Sequence, residues 1–426
     1  MKKKKILFFV PGSGGTFYCQ NCCRDYALVQ SLQNMGYEAV IAPLYLPLDL
    51  DDPQMKEENP IFYGALRVYL NEKLPFFHKV PLAWKSKLNS IPLLKWLARQ
   101  SAKTHSSGME EITLSLLKGE DGKQKKELDE IIRWLKVYEK PDVVYLSNAL
   151  LCGIAKAIHQ ELGIPVFCFL QDEHQWVENM SPQYQDRVWH EIRERSSFIQ
   201  KFIPVSHYYA RFIQEKVRLP REKFHPIYPG INIDNFPYSF SGMPAIGYVS
   251  RWDARLGLGI LLEAFYLLKE QAKFQEWKLL IMGGKSKEDE KFLLQEKKKW
   301  EGKNLSKDIE FFPLFHEKAR KELYSRISLL CVPNPQGEAF GLFLLEAQAS
   351  GIPVVQPDTG AYPEILQKTQ GGVLYAPNDP QTLAKALSHL MEDPEKSKDL
   401  GQIGRKTVEE SFSIQRMAQE IAMING

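Results

Sequence analysis

Apolar residues fill positions 6–10, a glycine cluster follows at Pro11-Gly12-Ser13-Gly14-Gly15, and apolar spacing of helical period then runs over 21–35 and stops at Gly36. A short continuous apolar run predicts a strand covered on both faces, and the spacing after the glycine turn predicts a helix. Positions 38–43 repeat the strand pattern, completing a βαβ unit. The alternation returns as a strand at 142–146, a helix at 150–162, and strands at 164–170 and 202–205. After a Ser/Gly/Pro loop at 239–244, a second series begins: strands at 245–249, 278–282, 309–312, 329–332 and 353–356, with helices at 259–270, 287–300, 317–326 and 341–350 between them. This is α/β architecture with two doubly wound parallel sheets. The predicted domains are 1–240 and 241–410, followed by a helix at 411–426 (Ile414, Met417, Ile421) that can cross back to the first domain.

Length and composition fit this division. The 426 residues exceed one ordinary domain, and 44% hydrophobic with 25% charged residues is typical of globular proteins. A net charge of +3 is too small to imply a nucleic-acid partner. Lys2 to Lys5 precede an apolar stretch too short for a secretory signal, and no run has membrane-spanning length, so a cytoplasmic location is expected. Positions 49–110 read as an insertion in the first domain. Within it, 73–103 is basic and aromatic, with Lys73, Trp84, Lys95 and Trp96 and no acid. Such a segment is either a solvated or packed excursion, or a peripheral contact with an anionic membrane face or an acceptor. Asp49-Leu50-Asp51 has the spacing of a metal-binding pair but reads as a polar loop. The six cysteines do not suggest a disulfide framework. Cys19, Cys22 and Cys23 leave a structural or substrate-lining role, a metal role and a redox role open, although no second Cys/His pair completes a zinc site.

The most specific stretch is Gly337-Glu338-Ala339-Phe340-Gly341-Leu342-Phe343-Leu344-Leu345-Glu346-Ala347, continuing to Val355, with two glutamates bracketing seven residues. With Tyr228-Pro229-Gly230, Leu261-Leu262-Glu263-Ala264-Phe265, Pro357-Asp358-Thr359-Gly360 and Gly371-Gly372-Val373, in that order along the chain, it resembles the family 4 glycosyltransferases of GT-B fold. The resemblance covers most of 140–410. It implies two Rossmann-like domains facing a cleft, and a metal-independent, retaining transfer of a sugar from a nucleotide sugar to an acceptor hydroxyl that the sequence does not identify. No bound cofactor is called for, because the nucleotide sugar is a substrate. By this resemblance Arg251 and Arg255 neutralise the departing diphosphate, Glu338 orients the donor sugar and Glu346 grips the ribose. Gly14, Gly15, Gln171, Gly341 and the amides of Leu342 and Phe343 complete the donor site. The physical logic is that the first turn of a helix exposes amides and positive dipole to a diphosphate.

Two positions depart from the family pattern. Leu256 stands where a lysine is usual, with Arg255 beside it, and Gln171 stands where a histidine is common. Gln171 can hydrogen-bond a hydroxyl but cannot take up a proton; His174 is nearby and could partly replace the histidine, although a surface position is expected for it. These departures motivate an alternative, a GT-B-shaped nucleotide-sugar-binding or scaffold protein with weak or no turnover.

Overall fold

The computed structural model of the protein describes residues 4–12, 20–45, 109–240, 243–284, 289–312 and 315–424. By contact the chain divides into Met1–Tyr228 with Ala418–Gly426, and Pro229–Met417. The division falls ahead of the 239–244 loop. The last helix, Ile414–Ile424, straddles it, and its residues from Ala418 onward belong with the first unit.

In the first unit, β1 (Lys5–Val10), β2 (Glu38–Pro43), β3 (Val143–Leu146), β4 (Val166–Leu170) and β5 (Lys201–Pro204) form one parallel sheet in the order β2-β1-β3-β4-β5. All residues of β3 and β4 are buried, as expected of parallel strands covered on both faces. One face carries aromatic rings in register: Phe8 pairs with Tyr145 and Tyr145 with Phe167, their centroids 4.9 and 5.1 Å apart. The helix expected at 150–162 is split into a 3₁₀ segment, Ala149–Ile154, and an α-helix, Ala155–Leu162. The reason is local. The Asn148 side chain caps Leu150 (3.0 Å), and Gly153 lies so close to the Leu116 carbonyl that any β-carbon would collide with it.

A buried polar knot closes the carboxyl end of β4. Glu173 accepts from the Ala149 amide (3.0 Å) and the Tyr209 hydroxyl (2.8 Å), and His174 Nδ1 lies 3.1 Å from the same hydroxyl. His174 is therefore buried rather than at the surface, edge-on to Phe212 with centroids 5.0 Å apart. Burial raises the Glu173 carboxyl above its ordinary range and pushes the His174 imidazole down to about 4, with Glu178 opposing the second shift and Lys216 adding to it.

In the second unit, β6 (Ala245–Val249), β7 (Lys278–Met282), β8 (Ile309–Phe312), β9 (Leu329–Leu330), β10 (Val354–Pro357) and β11 (Gly372–Tyr375) form a parallel sheet ordered β11-β10-β9-β6-β7-β8. Counted within the unit, the first and fourth strands are neighbours at the centre. That is the doubly wound arrangement, with its switch point between β6 and β9. Between β9 and β10 runs the helix Leu342–Ala349, all eight of whose residues are buried. The helix Pro394–Ser411 packs against it closely: a β-carbon on Gly401 would collide with the Gly351 carbonyl, and Arg405 Nη1 donates to the Ala349 carbonyl at 2.7 Å.

Two outcomes follow from this packing. Gly401→Ala should lower unfolding stability by about 1–3 kcal/mol through overpacking, whereas Gly302→Ala, with nothing within 4 Å, should not; thermal scans compare them. His174 binds its proton less readily folded than unfolded, so its contribution is complete above about pH 6.5 and is lost as the pH falls toward about 4. Urea titrations between those pH values should show stability falling, with a shallower fall in His174→Phe.

Candidate functional site

A doubly wound sheet offers a crevice at the carboxyl ends of the strands beside its switch point, because the chain leaves them toward opposite faces. Here those strands are β6 and β9. The loop after β6 carries Arg251 and Arg255, and the loop after β9 carries Glu338 and Gly341. The two loops touch through backbone. Gly257 has φ 86°, and a β-carbon on it would strike the Pro333 carbonyl, so both its conformation and its neighbour demand glycine. Tyr248, buried in β6, anchors the arginine loop by donating to the Arg251 carbonyl (3.0 Å) and the Leu256 carbonyl (3.3 Å).

Glu338 is buried. Its Oε1 accepts from Asn334 Nδ2 at 3.0 Å, and the same amide nitrogen donates to the Gly337 carbonyl at 2.9 Å. The Glu338 carbonyl accepts from the Ala361 amide at 3.0 Å, and Gly337 and Gly360, both at positive φ, lie against one another. The loop after β9 thus holds the carboxylate, and the loop after β10 holds the backbone that carries it. Gly341 (φ 88°) starts the helix Leu342–Ala349, which has no side-chain N-cap hydrogen bond; Leu342 and Phe343 form its first turn with their side chains buried. First-turn amides of this kind suit a phosphate.

Arg251 and Arg255 converge on one carboxylate. Asp253, 4% exposed, accepts from Arg255 Nε (3.1 Å), from Arg255 Nη2 (2.6 Å), from the Arg255 backbone amide (2.9 Å) and from Arg251 Nη2. Burial works against the Asp253 carboxylate, but the bonds from Arg255 and the charge of Arg251 outweigh it and hold its pKa at about 2. The guanidinium side chains are 43% and 53% exposed, so the cations lie outward over a buried anion. Asp289 lies 3.7 Å from Arg251 Nε. Leu256 is half-buried, its carbonyl engaged by Tyr248.

Just over one turn into its helix, Glu346 is 3% exposed. Its Oε2 accepts from the Tyr324 hydroxyl at 3.0 Å and lies 3.3 Å from Arg320 Nε. Sequence reasoning missed both partners. They stand four residues apart on the helix Glu317–Arg326, which places them on one face.

Gln171 follows β4 in the first unit and is buried in a different polar group. Its Oε1 accepts from Arg24 Nη1 (2.9 Å), while its Nε2 finds no partner among the described residues. Arg24 is itself buried, paired with Asp25 and held 4.3 Å over the Phe169 ring. Gly14, Gly15, Cys19, Asp49, Asp51 and segment 73–103 lie outside the described residues. Cys22 is disulfide-bonded, to a partner outside the described side chains. Cys152, Cys168 and Cys331 are free and buried. Among the described residues, no helix is long and apolar enough to cross a membrane.

Two family models match in tandem, Glycosyltransferase Family 4 over 122–235 and Glycosyl transferases group 1 over 233–407. Among curated proteins, the phosphatidyl-myo-inositol mannosyltransferase of Mycobacterium leprae is 30% identical over 171 residues, covering 38% of this chain and 43% of that protein. The human alpha-1,3/1,6-mannosyltransferase ALG2 is 25% identical over 212 residues, 46% of this chain and 50% of its own. The match thus spans about half the length of these relatives. Among solved structures, HepE of Anabaena in complex with UDP and glucose superposes with a TM-score of 0.68 at 15% identity, covering 99% of both chains. Sucrose-phosphate synthase of Thermosynechococcus elongatus also gives 0.68, at 17% identity, covering 99% of this chain and 98% of the other. Both share the fold of this chain, and with the family matches running from 122 to 407 the chain belongs to the family 4, group 1 glycosyltransferases of GT-B fold.

Proposed function

We propose that the protein is a metal-independent, retaining glycosyltransferase that moves a sugar from a nucleotide sugar to an acceptor hydroxyl. The observation that carries this reading is the approach of Gly257 to Pro333, which brings the loop of Arg251 and Arg255 against the loop of Glu338 at the switch point of one sheet. Transfer to an acceptor requires the bond from the anomeric carbon to the diphosphate to break, and negative charge gathers on the diphosphate oxygens as it does. Fixed cations and first-turn amides stabilise that charge without having to reorient. Arg251, Arg255 and the amides of Leu342 and Phe343 supply them. Glu338 hydrogen-bonds donor-sugar hydroxyls, Glu346 takes the ribose, and the leaving phosphate accepts the proton of the acceptor hydroxyl. Gln171, whose Oε1 is taken by Arg24, keeps only its amide hydrogens to offer. A nearby relative named for mannosyl transfer and a structural neighbour holding UDP and glucose support a hexose donor. The location in this reading is cytoplasmic.

Arg251→Ala should lower kcat by about 10²- to 10³-fold, the usual cost of removing one preorganised charge. Arg255→Ala should lower it by about tenfold or more, and Leu256→Lys in that background should restore part of the loss by returning a cation to the same loop. Steady-state donor consumption, with slow hydrolysis counted, measures each. A wild-type protein that binds nucleotide sugars but neither transfers nor hydrolyses them across a broad acceptor panel would establish the binding-protein alternative instead.

A further inference from the structure

Arg320 touches two things at once. Its Nε lies 3.3 Å from Glu346 Oε2, and its Nη1 donates to the Phe315 carbonyl at 2.8 Å. Phe315 follows β8 at the carboxyl end of the same sheet, with its ring beside Gly284 at the end of β7. Arg320 therefore ties a loop at the strand ends to a carboxylate just over one turn inside the helix Leu342–Ala349. Tyr324 approaches the same oxygen from one turn further along, and its own carbonyl accepts from Ser239 Oγ at 3.2 Å. The Glu317–Arg326 helix is fixed at its start, where His316 Nδ1 accepts from the Ala319 amide at 3.2 Å.

A buried carboxylate with one cation and one hydroxyl on a single oxygen has little rotational freedom, since turning it would strand a charge out of water. We infer that Arg320 and Tyr324 are positioning residues for ribose recognition: they fix the plane of the Glu346 carboxylate so that it meets the ribose hydroxyls in one geometry, and so set the preference for a ribonucleotide over its 2′-deoxy counterpart. This rests on the ribose role proposed for Glu346. Arg320 itself touches no substrate in this scheme. A planar guanidinium that hydrogen-bonds a carbonyl while it pairs by charge with a carboxylate does what a lysine, as a point charge, does less well.

The test measures, by calorimetric titration, the ratio of dissociation constants for dUDP against UDP and dGDP against GDP, in the wild type, Glu346→Gln, Tyr324→Phe, Arg320→Lys and Arg320→Leu. The wild type is expected to favour the ribonucleotide of its preferred pair by about tenfold or more, the scale of one hydrogen bond to a charged group, and Glu346→Gln should bring the ratio near one. Tyr324→Phe, which keeps the ring and its packing, should reduce the ratio to about threefold. Arg320→Lys should do the same or more. A structural role alone would lower the melting temperature of Tyr324→Phe and Arg320→Lys while leaving the ratio at the wild-type value, and that result overturns the proposal. If the wild type binds none of the four, or if Glu346→Gln leaves the ratio unchanged, the ribose reading fails first and this inference falls with it. Should Arg320→Leu not fold, Tyr324→Phe and Arg320→Lys still decide.

Discussion

Two loops that leave adjacent parallel strands in opposite directions diverge, and a backbone contact between them fixes how far. In the second unit that contact is Gly257 against the Pro333 carbonyl. Remove the freedom of Gly257 to sit at positive φ and the arginine loop must lift away from the glutamate loop, because a side chain would occupy the space that the carbonyl fills. The neighbouring restraints assume this approach. Tyr248 fixes the carbonyls of the arginine loop, and Asn378 Nδ2 donates to the Pro333 carbonyl at 3.1 Å. The Gly337–Gly360 contact then carries the same arrangement over to the next strand.

The charges around this contact are arranged in two ways with different consequences. At Asp253 the anion is buried and its cations are partly in water, where an ion pair contributes about 0–1 kcal/mol to stability. Its effect is orientation, since one carboxylate holds two guanidiniums side by side on a short loop. At Glu346 the carboxylate and Arg320 are both buried, and removing one partner leaves an uncompensated charge at a cost of about 3–5 kcal/mol. The first pairing keeps its cations partly hydrated, while the second is closed off from water on both sides.

Much of this was legible in the sequence. β6, β7 and β8 have the bounds that their apolar runs predict; in β6 and β7 the reason is that a parallel strand buried on both faces has little polar alternation to blur it, whereas β8, at the sheet edge, carries an exposed Glu310. β9 is shorter than its run: only Leu329 and Leu330 pair, and Cys331 to Pro333 already belong to the loop, whose carbonyls are engaged by Tyr362 and Asn378. Strand order could not be read at all, since it depends on pairings between distant segments. The glutamates and Arg251 were singled out by motif. Arg320, Tyr324 and Asp253 were not, because each acts on a motif residue from a stretch that resembles an ordinary polar helix or turn. His174 was misplaced for a similar reason. Its burial comes from Tyr209, a residue of another helix, and nothing within its own segment announces that.

The helix Leu342–Ala349 has no outward face: each of its eight residues is enclosed by protein. In most surface helices the first-turn amides move with the solvent-facing side and point at a ligand only on average. Here the interior is close-packed and resists compression, so those dipoles keep their aim without a ligand to hold them. The solvent term that would accompany charge separation at a water-exposed helix end is thereby exchanged for a field already in place.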